Sequence, residues 1–121
     1  MTPTSRTMQA FRKLGYTVDK VEHRVPVINT LKDAFGFIDI LVLGASIIGV
    51  QATSKSNVTA RKKKIQSLDA ARLWLVSGGR ILVVGWYPSQ KVGACKWLCD
   101  SYELTIKDGR QKWISLPEID G

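Results

Sequence analysis

One apolar run, holding a single acid and a single amide, constrains this chain more than any other feature. From Gly36 to Thr53 the sequence is two stretches of β-branched and large aliphatic residues, 36–43 and 47–53, separated by Gly44-Ala45-Ser46. Stretches apolar on both faces are expected of central strands covered on two sides. Asp39 and Gln51 interrupt them. A carboxylate in such a strand is costly to bury unless a partner, a metal or a wet cleft compensates it.

Register decides whether the two polar residues meet. A three-residue hairpin loop pairs Leu43 with Ile47 and, counted back, sets Asp39 opposite Gln51, with Thr53 following on the same face. A two-residue loop would pair Asp39 with Val50 and turn Gln51 to the other side. With the longer loop, an acid, an amide and a hydroxyl line up at one end of the hairpin. Ser54-Lys55-Ser56-Asn57 then leads into a basic segment, Arg61-Lys62-Lys63-Lys64.

The remaining elements follow from periodicity and punctuation. Thr2-Pro3 marks a helix start, with Met8, Phe11 and Leu14 on one side and Gly15 at the end. Residues 16–25 alternate, with Val21, His23 and Val25 on one face and Lys20, Glu22 and Arg24 on the other, which predicts the first strand. Pro26 to Asp33 reads as a loop. Asn57 is placed to cap a helix whose buried stripe is Ile65, Leu68, Ala71 and Leu75, with Trp74 beside it. Ser67-Leu68-Asp69-Ala70 marks a kink or a break into two helices. Gly78-Gly79 ends the helical region, and 80–86 forms a further strand. A strand–helix–strand crossover of this length adds that strand in parallel. After a loop over 88–93, residues 95–107 form a strand, Asp108-Gly109 a turn, and 112–116 a last short strand. The tail from Pro117 is expected to be loose.

These elements fit one α/β domain spanning 1–121, long enough to need no disulfide or metal for its core. Net charge is +8, from 18 basic and 10 acidic residues. That favours a polyanionic partner, although basic proteins of other kinds share it. The N-terminus lacks the apolar core of a signal peptide and no apolar run approaches membrane-spanning length, so a soluble, cytoplasmic protein without a membrane partner is expected. Cys95 and Cys99 on one strand would stand about 13 Å apart, too far for a disulfide. With the lone His23 they cannot complete a tetrahedral metal site. His23 itself reads as a structural residue.

Strand-Asp, hairpin, strand-(Glu or Gln)-x-Lys and helix, in that order, resemble the PD-(D/E)XK nuclease superfamily. The likeness extends to its small Holliday-junction resolvases and related phage nucleases. Gly36-Phe37-Ile38-Asp39 is similar to that family's G-x-x-D strand, and Val50-Gln51-Ala52-Thr53 stands in place of its E-x-K strand. The likeness covers roughly residues 5–87 in element order. Gln51 replaces the usual Glu, and Thr53 the usual Lys, giving a Gln-x-Thr-Ser variant. No acid precedes Asp19, so the glutamate that many relatives carry on the first helix is missing.

The resemblance implies a restriction-endonuclease-like α-β-β-β-α-β core with a mixed central sheet. It also implies a metal-dependent DNA endonuclease using Mg²⁺ or Mn²⁺ in a phage or prokaryotic cell, with a homodimer as one assembly. Asp39 would be the main ligand, joined by the Gln51 amide oxygen, the Ala52 carbonyl, and Asp33 or Glu22 as a second carboxylate. Thr53 occupies the lysine's place, and Lys55 or Lys64 would supply the missing cation. Ser54, Asn57, Arg61, Lys62, Lys63 and Lys64 would face DNA, against the plainer reading of a solvated basic face. Two alternatives stay open: a nuclease-fold DNA-binding protein without catalysis, in which Asp39 and Gln51 merely share a hydrogen bond, and a small α/β interaction or regulatory protein.

Overall fold

The computed structural model describes residues 1–25, 30–91, 93 and 96–117. Much of the expected 26–33 loop, Cys95 and the tail beyond Pro117 lie outside those residues, as does the side chain of His23. Helix α1 (Pro3–Lys13) precedes β1 (Thr17–Lys20), β2 (His23–Val25), β3 (Thr30–Lys32), β4 (Ile40–Leu43) and β5 (Ile47–Ser54). A 3-10 turn (Lys55–Asn57) opens α2 (Val58–Gln66), followed by α3 (Asp69–Val76), β6 (Arg80–Pro88), β7 (Trp97–Lys107) and β8 (Arg110–Leu116).

Six strands form one mixed sheet in the order β1-β4-β5-β6-β7-β8, while β2 and β3 pair separately. Only β5 and β6 run parallel; the other neighbours in the large sheet are antiparallel. The parallel pair is the one joined through α2 and α3, as a crossover requires. The chain is thus α/β with a mixed, mostly antiparallel sheet. Among the described residues no helix is long and apolar enough to cross a membrane.

Alternation along β5 gives the sheet two covered faces. Ile48, Val50 and Ala52 pack with Ile40, Val42, Leu82, Val84 and Trp86 beneath α1, from which Ala10 and Phe11 descend. Ile81, Val83 and Leu104 lie on the other face, against Phe37, Ile38, Val58, Ile65 and Ala71. Gln51 and Thr53, alternating with the first set, therefore belong to the α2–α3 side. The Trp86 indole N–H donates to Thr7 Oγ1 at 2.9 Å, tying α1 to the sheet. Thr2 caps α1 as expected, its hydroxyl accepting from the Ser5 N–H at 3.1 Å. Leu14 does not join the stripe of α1; it follows the helix and is exposed.

The expected strand over 16–25 is divided. After Lys20 the N–H groups of Val21 and Glu22 both donate to the Asp39 carbonyl, at 2.9 and 3.3 Å. Bending there takes the chain off the large sheet and into β2, which pairs with β3, His23 against Lys32. The expected loop therefore contains a strand at Thr30–Lys32.

The strand expected from 36 starts only at Ile40. Residues 34–38 close a tight turn through an Ala34–Ile38 bridge, with Phe35 and Gly36 at φ 54° and 84°. Asn57, expected as a helix cap, is itself helical, and its side-chain amide donates to Ser54 Oγ instead. The 3-10 turn fits because β6 carries Gly85 beneath it: a Cβ there would stand 2.3 Å from Val58 Cγ2 and 3.2 Å from Lys55 Cα. The break between α2 and α3 falls within the expected 67–70 segment.

Candidate metal centre

The hairpin loop has three residues. Leu43 pairs with Ile47 and Ile40 with Val50, and one further step sets Asp39 against Gln51. The ladder is interrupted at that step. The Asp39 N–H donates to the Val50 carbonyl at 3.0 Å, while its own carboxylate takes the donors beyond. Asp39 Oδ2 accepts from the Ala52 N–H at 3.0 Å and from Gln51 Nε2 at 2.8 Å. Both Asp39 and Gln51 are 2% exposed. Because a strand residue's N–H and C=O point the same way, the Ala52 carbonyl also faces the Asp39 side.

Two further acids arrive from the small sheet. Glu22 immediately precedes β2 and Asp33 immediately follows β3, so the His23–Lys32 pair holds them side by side. The turn at 34–38 then folds Asp33 back over Asp39. One carboxylate oxygen from each of Glu22, Asp33 and Asp39 lies within 4.8 Å of the other two. Gln51 Nε2 bridges the aspartates, reaching Asp33 Oδ2 at 3.2 Å. Lys64, from the last turn of α2, places Nζ 3.4 Å from the same oxygen.

Crowding sets the protonation of the cluster. Burial is the largest influence on Asp39, followed by its hydrogen bond with Asp33 and the repulsion of that second charge. Together they push its pKa up to about 8, against the weaker pull of the Ala52 and Gln51 donors. Burial also raises Asp33. The hydrogen bond with Asp39, the Gln51 amide and the Lys64 charge outweigh it and leave Asp33 below the ordinary carboxylate range. The pair therefore retains a proton well above the ordinary carboxylate range, with Asp39 the raised partner and Asp33 the lowered one.

Asp39 Oδ1 and Gln51 Oε1 are buried with no hydrogen-bond partner among the described residues. Orphaned buried acceptors are costly in a finished polar network. The three carboxylates are hard oxygen donors of the kind a divalent ion takes, while Gln51 turns its Nε2 to two of them. The residues present fit such an ion. Lys32, Asp33, Phe35, Gly36, Lys64 and Leu68 line a cleft of about 490 Å³ alongside.

The other sequence-predicted residues are distributed differently. Thr53 is buried on the same face as Gln51, two residues along β5. Lys55 is committed elsewhere: its Nζ lies 3.6 Å from Asp100 Oδ2 and 4.3 Å from the centre of the Tyr87 ring. Ser54 bonds Ser56 and Asn57 within the 3-10 turn.

Helical geometry divides the basic run between directions. Lys62 sits 3.5 Å over the Tyr102 ring, close to Trp113, and burial lowers its pKa. Lys64 turns to Asp33. Arg61 is half-buried and Lys63 exposed. The run is not a single basic face.

No family model matches the chain, and neither a curated protein nor a solved structure does.

Proposed function

We propose that this chain is a metal-dependent DNA endonuclease with a restriction-endonuclease-like arrangement of its sheet. Two observations carry the reading: one carboxylate oxygen from each of Glu22, Asp33 and Asp39 lies within 4.8 Å of the other two, and the buried Asp39 Oδ1 has no hydrogen-bond partner among the described residues. Asp39, Asp33 and Glu22 would hold the ion, with the Gln51 amide oxygen and the Ala52 carbonyl completing the oxygen set. When bound, the ion polarises a phosphodiester and acidifies a water, the chemistry hydrolysis requires.

The chain's own residues have separate tasks. Asp39, whose pKa is raised without metal, would have to be ionised to hold the ion. Asp33 stays ionised and accepts from Gln51. Either end of the Gln51 amide can face the cluster: its NH₂ satisfies the acids when no ion is present, and its oxygen suits a cation. Lys64, 3.4 Å from Asp33 on α2, would supply the phosphate-neutralising charge that Thr53 lacks. Lys55 does not take that part, because Asp100 and Tyr87 hold it.

A DNA-binding protein without cleavage is the second reading. It is favoured by the 2.8 Å bond from Gln51 to a protonated Asp39, which gives the pair a structural use of its own. Incubating labelled linear and branched DNA with Mg²⁺ or Mn²⁺ separates the two. A nuclease cuts, and Asp39→Asn abolishes cutting while DNA stays bound. Cutting undiminished in Asp39→Asn would refute the proposed centre, and an inert wild type that binds DNA would leave the second reading.

A further inference from the structure

Phe35 stands on the rim of the cleft beside the acids, directly between Ala34 and Gly36 in the turn that follows Asp33. It is 68% exposed, an unusual position for a ring. Its backbone is left-handed, with φ 54°, a conformation that a bulky side chain rarely adopts. Glycine or asparagine would make the same turn with less strain. Turn geometry does not account for an aromatic residue here, and packing covers the ring only on the side toward Trp74.

The surroundings suggest what the ring meets. One side of Phe35 leans on Trp74, ring centres 6.3 Å apart and tilted by 49°, which braces it. The cleft side carries Lys32 and Lys64, two cations flanking Asp33. An exposed aromatic and two cations lining one cleft, next to the proposed metal centre, match what a nucleotide requires: charge for its phosphates and a flat face for its base. A fully paired duplex keeps its base faces stacked on one another. Only an unpaired nucleotide offers one freely.

We propose that Phe35 is a stacking platform for an unpaired base adjacent to the phosphate held at the Glu22–Asp33–Asp39 centre. The preferred substrate is then DNA with an unpaired nucleotide beside the cut: a bulge, a flap or a branch point. This inference rests on the nuclease reading for the identity of the phosphate, and Phe35 acts as a specificity residue within it.

The test is binding in Ca²⁺, a hard cation for the same oxygen donors, with intact DNA verified on a gel after each titration. A fully paired duplex is compared with the same duplex carrying one bulged 2-aminopurine. Wild type should bind the bulged form about tenfold tighter, as expected for one base stacked on one ring. Aminopurine emission should fall on binding. Phe35→Asn should lose both effects without a lower Tm, and Phe35→Trp should keep them. Equal affinity of wild type for both duplexes, or a preference that survives Phe35→Asn, overturns the inference and leaves the metal centre untouched. A Tm that falls in Phe35→Asn would assign the ring to packing and overturn it too. If neither DNA binds while Mn²⁺ still does, the DNA reading falls together with it.

Discussion

Replacing Asp39 by Asn should make the metal-free fold less sensitive to rising pH, and the slope follows from the structure. The unfolded carboxyl releases its proton near 3.8, whereas the folded one holds it to about 8. Between these values the folded state binds one proton more than the unfolded state, so stability falls as pH rises. One extra bound proton corresponds to a loss of about 1.4 kcal/mol per pH unit, so stability should fall by a few kcal/mol at most between pH 5 and pH 7. Asp33 has the opposite sign. Its pKa is lowered in the fold, so its contribution is complete above 3.8 and disappears only on acidification, adding no slope in this window.

Urea unfolding in EDTA at pH 5, 6 and 7 measures the effect as the difference between wild type and Asp39→Asn, and the further variant Asp33→Asn separates the part that comes through the coupled Asp33. The difference should widen by up to about 1.4 kcal/mol per pH unit in favour of the variant Asp39→Asn. Parallel pH profiles would refute the argument, because Asp39 would then ionise in the fold as it does in the unfolded chain.

Three further outcomes follow from the structure. Gln51→Glu puts another carboxylate among Glu22, Asp33 and Asp39, so it should lower metal-free stability at pH 7 and raise Mn²⁺ affinity, read by unfolding and by calorimetry. Arg61→Ala with Lys63→Ala should shrink the slope of log affinity for duplex DNA against log salt by about one for each phosphate left without its cation. Lys62→Ala should leave that slope alone and cost about 0.5–1 kcal/mol of stability, since its ammonium is spent on Tyr102.

Much of the centre was legible because the hairpin is governed by local rules. An Asp and a Gln in an apolar β-run share a face by counting if the loop has three residues, and the register with Leu43 opposite Ile47 supplies that length. Glu22 and Asp33 were harder. Their meeting depends on β2–β3, three residues per strand, too short to leave a period, with the intervening loop expected to run on to Asp33. The bend at Val21–Glu22 arises from a backbone carbonyl, that of Asp39, which has no signature in sequence.

The choice between Lys55 and Lys64 was likewise tertiary. Lys55 is nearer in sequence, yet Asp100 and Tyr87 from distant strands capture it, while the turns of α2 carry Lys64 back over Asp33. The basic run looked continuous because a sequence is linear. At about 100° per residue, its four side chains point in different directions.

Diffraction from crystals soaked in Mn²⁺, recorded for the metal's anomalous signal, puts the proposed centre to its sharpest test. One strong peak is expected in contact with the carboxylates of Asp39 and Asp33, present in wild type and absent in Asp39→Asn. Crystals in which Mn²⁺ leaves Glu22, Asp33 and Asp39 without a peak, with Gln51 still donating to Asp39, would contradict a metal centre at these residues.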